Sequence, residues 1–235
     1  MKIDIADAQV AQQANRYTFT YLGRQTHRKD GIKTRHALLK ACIEIIAAQG
    51  VRGVRHRAVA QQANVSLAAT TYYFEDIQML IHDALTYFAE LVLADGQQLE
   101  HSAYELVARA RDDEGQLGMT RQMLAAQLSQ LVVSHIQQQV MDKDARLVER
   151  IFFQEALRWP LLATTIVQLE DMILANIEQF FSQLKVDMPH LAAHSLLALI
   201  RHFEYYLLIN DTDKSAIAAA SIEHFFLHLI PSSVP

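Results

Sequence analysis

The 235-residue chain is 51% apolar and 8% aromatic with a formal net charge of -5, which is enough apolar surface for a sizeable core and too much for a wholly disordered chain. It has only 7 Gly and 4 Pro, and its apolar residues recur at threes and fours, which argues against a β-rich fold and predicts an all-α protein. A single cysteine, Cys42, rules out an internal disulfide and sits four residues after Leu38, in a core stripe.

The charge is unevenly spread. Between residues 24 and 57, Arg24, Arg28, Lys29, Lys33, Arg35, Lys40, Arg52, Arg55 and Arg57 face only Asp30 and Glu44, nine minus two or +7, which leaves 12 basic and 24 acidic groups elsewhere, or -12. A basic end on an acidic body points to a polyanionic partner confined to that end. The start, "MKIDIADAQVAQQANRYTF", lacks the basic-then-apolar pattern of a secretory signal. No later stretch supplies about eighteen uncharged apolar residues, so the expectation is a soluble, cytoplasmic protein without membrane contact.

Taken in order, residues 1–30 are rich in Gln, Ala and Thr without sustained period and read as a flexible arm ending in the basic "GRQTHRKDGIK". The run "VAQQAN" occurs at 10–15 and again at 59–64; only the second copy has a helix to follow it, so the repeat reads as coincidence. A first helix is predicted over "TRHALLKACIEIIAAQG", with Leu38, Cys42, Ile45, Ile46 and Gln49 on one face and Gly50 placed to end it. A short second helix follows in "RHRAVAQQA". Asn64, which tolerates the left-handed conformation, then turns the chain, and Ser66 is the N-cap candidate for "LAATTYYF". Two short helices joined by so tight a turn make a helix-turn-helix, within a domain spanning 31–75 and with the motif at about 55–74.

In such a motif the second helix enters the major groove and the first crosses the backbone. Spacing places Leu67, Thr70 and Phe74 inward, and Ala68, Ala69, Tyr72 and with them Thr71 and Tyr73 outward. Small residues at the helix start let the backbone approach base edges, and Thr and Tyr hydroxyls suit phosphate oxygens. Arg, Asn and Gln are absent from this helix, so discrimination falls to methyl contacts, to Arg55, Arg57 and the arm, or to DNA shape.

Residues 32–80 resemble the DNA-binding domain of the tetracycline-repressor (TetR) family of bacterial regulators. The resemblance rests on "TRHALLKACIEIIAAQGVRGV" as its first helix, "AVAQQANVS" as its turn and "ATTYYF" as the end of its recognition helix. Three positions depart from the pattern: Asn64 stands where the family mostly has Gly, Arg55 replaces a capping Thr or Ser, and Ile77 replaces a Lys. The resemblance implies nine or ten helices and a homodimer built on the last two long ones. It also implies a pocket in the C-terminal part, 76–235, whose small-molecule effector releases double-stranded DNA bound at an inverted-repeat operator. The DNA-facing candidates are then Thr34, Arg55 and Arg57 ahead of the turn, Ser66 at the turn, and Leu67, Ala68, Ala69, Thr71, Tyr72 and Tyr73 after it.

After the N-cap candidate Asp76, a long helix is expected to about residue 113 with a break near Gly96, then a loop at "EGQLG". Further helices are expected at about 119–140, 144–157, 161–184, 189–209 and 213–230. The last two are apolar on more than one face, as a four-helix interface between two subunits requires. Aromatics gather around Trp159, where a helix end at Trp159-Pro160 would open space for an apolar effector. Candidate lining residues are Phe152 and Trp159, with Tyr104, Gln127 and His135 as polar anchors. The pairs His190/His194 and His224/His228 have zinc-binding spacing but no third ligand at fixed distance, and no phosphate loop or catalytic triad order is present, so neither metal, cofactor nor enzymatic activity is expected. The favoured reading is a ligand-responsive DNA-binding regulator, most simply a repressor. The alternatives are a helical metal- or small-molecule-binding protein whose helix-turn-helix only packs, and a protein-interaction module using the same basic end.

Overall fold

The computed structural model describes residues 19–110, 118–210 and 215–231. Among them are nine α-helices and no strand, the all-α architecture that the periodicity predicts. The chain divides into two compact units. One takes the described residues up to Ala94 together with Asp144–Leu169, and the other takes Asp95–Lys143 and the described residues from Glu170 onward.

Helix α1 (Lys29–Gln49) begins five residues before Thr34, with Asp30 in the first turn where a carboxylate suits the positive end of the helix dipole. It buries Leu38, Leu39, Cys42, Ile43 and Ile46. Gly50, at φ 70°, caps its end with an N–H donated to the Ile46 carbonyl at 2.8 Å, a conformation costly for any residue with a Cβ. A 3-10 turn at Val51–Gly53 leads to α2 (His56–Gln62). Arg55 stands at its N-cap and makes no side-chain capping bond.

The turn behaves as Asn64 predicts. Asn64 sits at φ 54°, its N–H donates to Gln61 O at 3.2 Å and the Val65 N–H to Ala60 O at 3.0 Å, which is the Schellman closure of a helix end. Ser66 then caps α3 (Leu67–Tyr73), its Oγ accepting from the Ala69 N–H at 3.2 Å. Asp76 likewise accepts from the Met79 N–H at 2.8 Å as α4 (Ile77–Ala110) begins, and α4 passes through Gly96 without the expected break. The expected loop "EGQLG" lies mostly outside the described residues. Helices α5 (Arg121–Met141, capped by Thr120), α6 (Lys143–Ala156), α7 (Pro160–Gln183), α8 (Pro189–Ile209) and α9 (Ser215–Leu229) follow.

The first unit's core joins α1 to Val59, Phe74 and the α4 residues Leu80, Ala84, Leu85, Tyr87 and Phe88, and also to Val148, Phe152, Leu162 and Ile166. The domain boundary expected at residue 75 falls between members of this core. The α4 helix is long and apolar enough to cross a membrane, with mean hydropathy 1.3 over one window, yet 61% of that window is buried inside the protein. The second unit's core runs from Leu106 and Leu128 through Phe181 and Leu196 to Ile222 and Phe226. Ser129 ties α5 to α9 there by donating to the Ala219 carbonyl at 3.0 Å.

Candidate functional site

In the first unit, α3 presents one face to solvent. Leu67 is 43% and Tyr72 56% exposed, and Ala68 and Thr71 are exposed beside them. Arg55 and Arg57 are exposed at the start of α2. Thr34 is half-buried and spends its hydroxyl on the Asp30 carbonyl at 2.9 Å; Ser66 is exposed but committed to its cap. Ala69 is half-buried.

Two expectations for α3 need correction. Leu67, placed inward by spacing, lies open at the first turn, where nothing follows the Ser66 cap to cover it. Tyr73, placed outward and among the DNA-facing residues, is only 8% exposed. Among its neighbours are the start of α1 and the segment before it, which carries neither helix nor strand over residues 19–28. There the Arg24 N–H donates to the Tyr73 carbonyl at 2.8 Å, and in the first turn of α1 a Cβ on Gly31 would meet the Tyr73 hydroxyl at 3.0 Å.

That segment is held by a buried carboxylate that the sequence reading passed over. Asp83, fully buried on α4, accepts from the N–H of Leu22 at 2.7 Å and of Gly23 at 3.0 Å, and pairs with the Arg35 guanidinium at 2.7 Å. His82 completes the cluster, with Nδ1 at 3.2 Å from Asp83 and Nε2 at 3.2 Å from the Thr165 hydroxyl. Arg35 also lies over the Tyr21 ring, 4.3 Å from its centroid. The Tyr21 hydroxyl donates to Glu90 at 2.7 Å. Burial, then the Glu90 charge, pushes the Tyr21 phenol far above its ordinary range; burial also raises Glu90, against the pull of its bond from Tyr21. The Cys42 thiol is buried and held above the usual thiol range, which keeps it from being a nucleophile at neutral pH. The one available signal was the isolated His-Asp pair inside the apolar run "MLIHDALTYFAELVL", since a charge on a core face needs a partner.

The second unit contains a cleft of about 350 Å³ lined by Tyr104, Val107, Ala108, Phe180, Gln183 and Leu184, within the size range of small-molecule sites. Tyr104 stacks edge-on against Phe180 with centroids 5.4 Å apart, and its buried hydroxyl oxygen has no hydrogen-bond partner. Burial, and then the charge of Glu100, raises its pKa. The other expected pocket residues do not join it. Phe152 is in the first unit's core beside Phe88, and Trp159 packs on that same core. Gln127 is exposed and His135 half-buried on α5. The His224 and His228 rings lie with centroids 4.1 Å apart and planes tilted by 45°, His228 Nδ1 lying 2.8 Å from the His224 carbonyl oxygen; among the described residues no group of three or more His, Cys, Asp or Glu could hold a metal ion.

No family model matches the sequence, nor does any curated protein sequence. Solved structures do match. A protein assigned to the TetR-family transcriptional regulators of Mesorhizobium loti is 19% identical, covers 88% of this chain and 100% of its own, and superposes with a TM-score of 0.62. The chain has the TetR-family fold. Within that fold, NalD, the secondary repressor of the MexAB-OprM multidrug efflux pump in Pseudomonas aeruginosa, is 20% identical over 86% of this chain and 98% of its own, with a TM-score of 0.55. The multidrug binding protein EbrR, solved with proflavin, is 22% identical over 82% of this chain and 99% of its own, with a TM-score of 0.52. In the TetR fold the capped helix-turn-helix of this chain corresponds to the element that the resemblance of residues 32–80 identifies.

Proposed function

We propose that this protein is a cytoplasmic, ligand-responsive transcriptional regulator that binds double-stranded DNA through α2 and α3, acts as a repressor, and has no enzymatic role. The observation that carries the reading is the exposed face of α3, capped by Ser66, with Arg55 and Arg57 standing free at the start of α2 and the +7 segment around them. Exposed small residues and hydroxyls next to cations are what a groove-reading helix requires, and a merely structural helix-turn-helix gives no reason for the charge to gather there.

The outer faces of the last two helices support a homodimer. On α8, Leu191, Ser195, Ala198, His202, Tyr205 and Ile209 form an exposed stripe, and on α9 Ile217 and Ala220 continue it. Apolar and small residues on one open face are suited to a self-complementary contact. The effector reading moves from Trp159 to the Tyr104 cleft. An apolar ligand with one hydrogen-bonding group would satisfy the Tyr104 hydroxyl, and it would release DNA only by binding the DNA-free conformation more tightly.

Selection of bound fragments from random duplex DNA is the test. The expected product is an inverted repeat whose half-sites lie about one helical turn apart, or a multiple of it. Recovery of no enriched sequence, with binding insensitive to salt, would overturn the nucleic-acid reading.

A further inference from the structure

The segment before α1 does more than lead into that helix. Its main chain is fixed from two sides at consecutive residues: Leu22 and Gly23 donate to the buried Asp83 carboxylate, and Arg24 donates to the carbonyl of Tyr73, the last residue of α3. Gly23 fits only because it has no side chain, since a Cβ there would stand 2.6 Å from the Phe74 ring and 2.9 Å from Asp83. The Arg24 side chain is exposed, and its guanidinium lies 4.4 Å from the centroid of the Tyr72 ring. Among the described residues no carboxylate pairs with it.

We propose that Arg24 is a phosphate-contacting residue of the DNA interface, held in register with the end of α3 by its main-chain bond and by the Tyr72 ring beneath it. The proposal rests on the DNA-binding reading above and extends it to a residue outside the helix-turn-helix. A guanidinium drawn to a ring face keeps its N–H groups available to a phosphate oxygen. An arginine ordered before binding also loses less freedom on binding than one on a loose arm. The arrangement gives the first unit a cation at the C-terminal end of α3, where that helix itself carries none, complementing Arg55 and Arg57 at the start of α2.

The test uses the full chain and a pool of random-sequence duplex DNA, with affinity followed against salt. One lost phosphate contact makes the log–log salt slope shallower by about 0.9 and weakens binding roughly eight-fold at ~0.1 M salt. Arg24→Ala is expected to show both changes with an unaltered helical circular-dichroism spectrum. Gly23→Ala keeps the charge but displaces the segment from Phe74, and is expected to weaken binding as well. Arg57→Ala serves as the independent reference for the helix-turn-helix. If Arg24→Ala binds with the slope and affinity of the unmodified protein while Arg57→Ala does not, the Arg24 assignment is wrong and the regulator reading stands. If the unmodified protein itself shows no salt-dependent binding, the regulator reading fails and takes the assignment with it.

Discussion

The two units differ in how densely buried polar groups are linked: the first has a connected cluster and the second has isolated ones. In the first, Asp83, Arg35, His82 and Thr165 form one connected cluster that also captures two main-chain N–H groups. In the second, the core from Leu106 to Phe226 is mostly apolar, with the buried Ser129 bonded to the Ala219 carbonyl, and the Tyr104 hydroxyl beside its cleft has no partner among the described residues, as is also true of Arg35 Nε, His56 Nδ1, Thr86 Oγ1 and Arg146 Nε in the first. Directional bonds fix positions, whereas apolar packing tolerates small rearrangements at little cost. Under the proposed function, a surface that matches the spacing of a duplex is served by the first arrangement, and a cleft that admits a ligand by the second.

The largest expected effect breaks the first arrangement. Asp83→Ala strips the carboxylate from two main-chain donors and leaves the Arg35 charge buried against it, which should cost about 3–5 kcal/mol in urea unfolding. A loss of under ~1 kcal/mol would show that solvent takes over the cluster's role and that the contrast between the units is superficial. Next come the two serine-type caps, one in each unit. Ser66→Ala and Thr120→Ala should each cost about 1 kcal/mol, but with different local consequences. The seven-residue α3 should lose amide-exchange protection throughout, while the 21-residue α5 should lose it only in its first turn.

A smaller effect concerns pH. Because burial raises Glu90 in the folded protein above its ordinary value, the folded state holds that proton more tightly than the unfolded chain does. Stability from this group is therefore complete below the ordinary glutamate range and is lost as pH rises through the raised value. Glu90→Gln, which can still accept from Tyr21, should flatten that part of the stability–pH curve, as thermal melts across the range would reveal. The smallest effect sharpens the second arrangement. Tyr104→Phe removes a buried hydroxyl that has no partner, so stability should stay level or rise by up to ~1 kcal/mol, while affinity for a ligand carrying one polar group falls. A clear destabilisation would mean that the hydroxyl is already satisfied.

What the sequence revealed divides along the same line. Gly50, Asn64, Ser66 and Asp76 could be assigned because each acts on a neighbour within five residues, and local chemistry is enough to place a cap or a turn. Tyr73 could not, since its cover arrives from residues about fifty positions earlier and helical spacing is blind to that. The same holds for Asp83, whose partners Leu22, Gly23 and Arg35 are remote in sequence. Around Trp159 the difficulty was of another kind. An aromatic cluster announces burial but not which core it joins, and Phe152 and Trp159 joined that of the first unit. The start of α1 was missed because "KDGIK" is polar and carries a Gly, and only the structure shows it helical.

Helices α4 and α7 each hand residues to both units, changing allegiance after Ala94 and after Leu169. Neither unit is thus one uninterrupted stretch of gene. Anyone wishing to transplant the helix-turn-helix unit onto another body cannot cut once: a fragment ending at residue 75 would leave behind Leu80, Tyr87 and Phe88, and with them Val148, Phe152 and Leu162. A working chimera has to exchange two separated segments together, and all three seams fall inside helices, in α4, at the start of α6 and in α7.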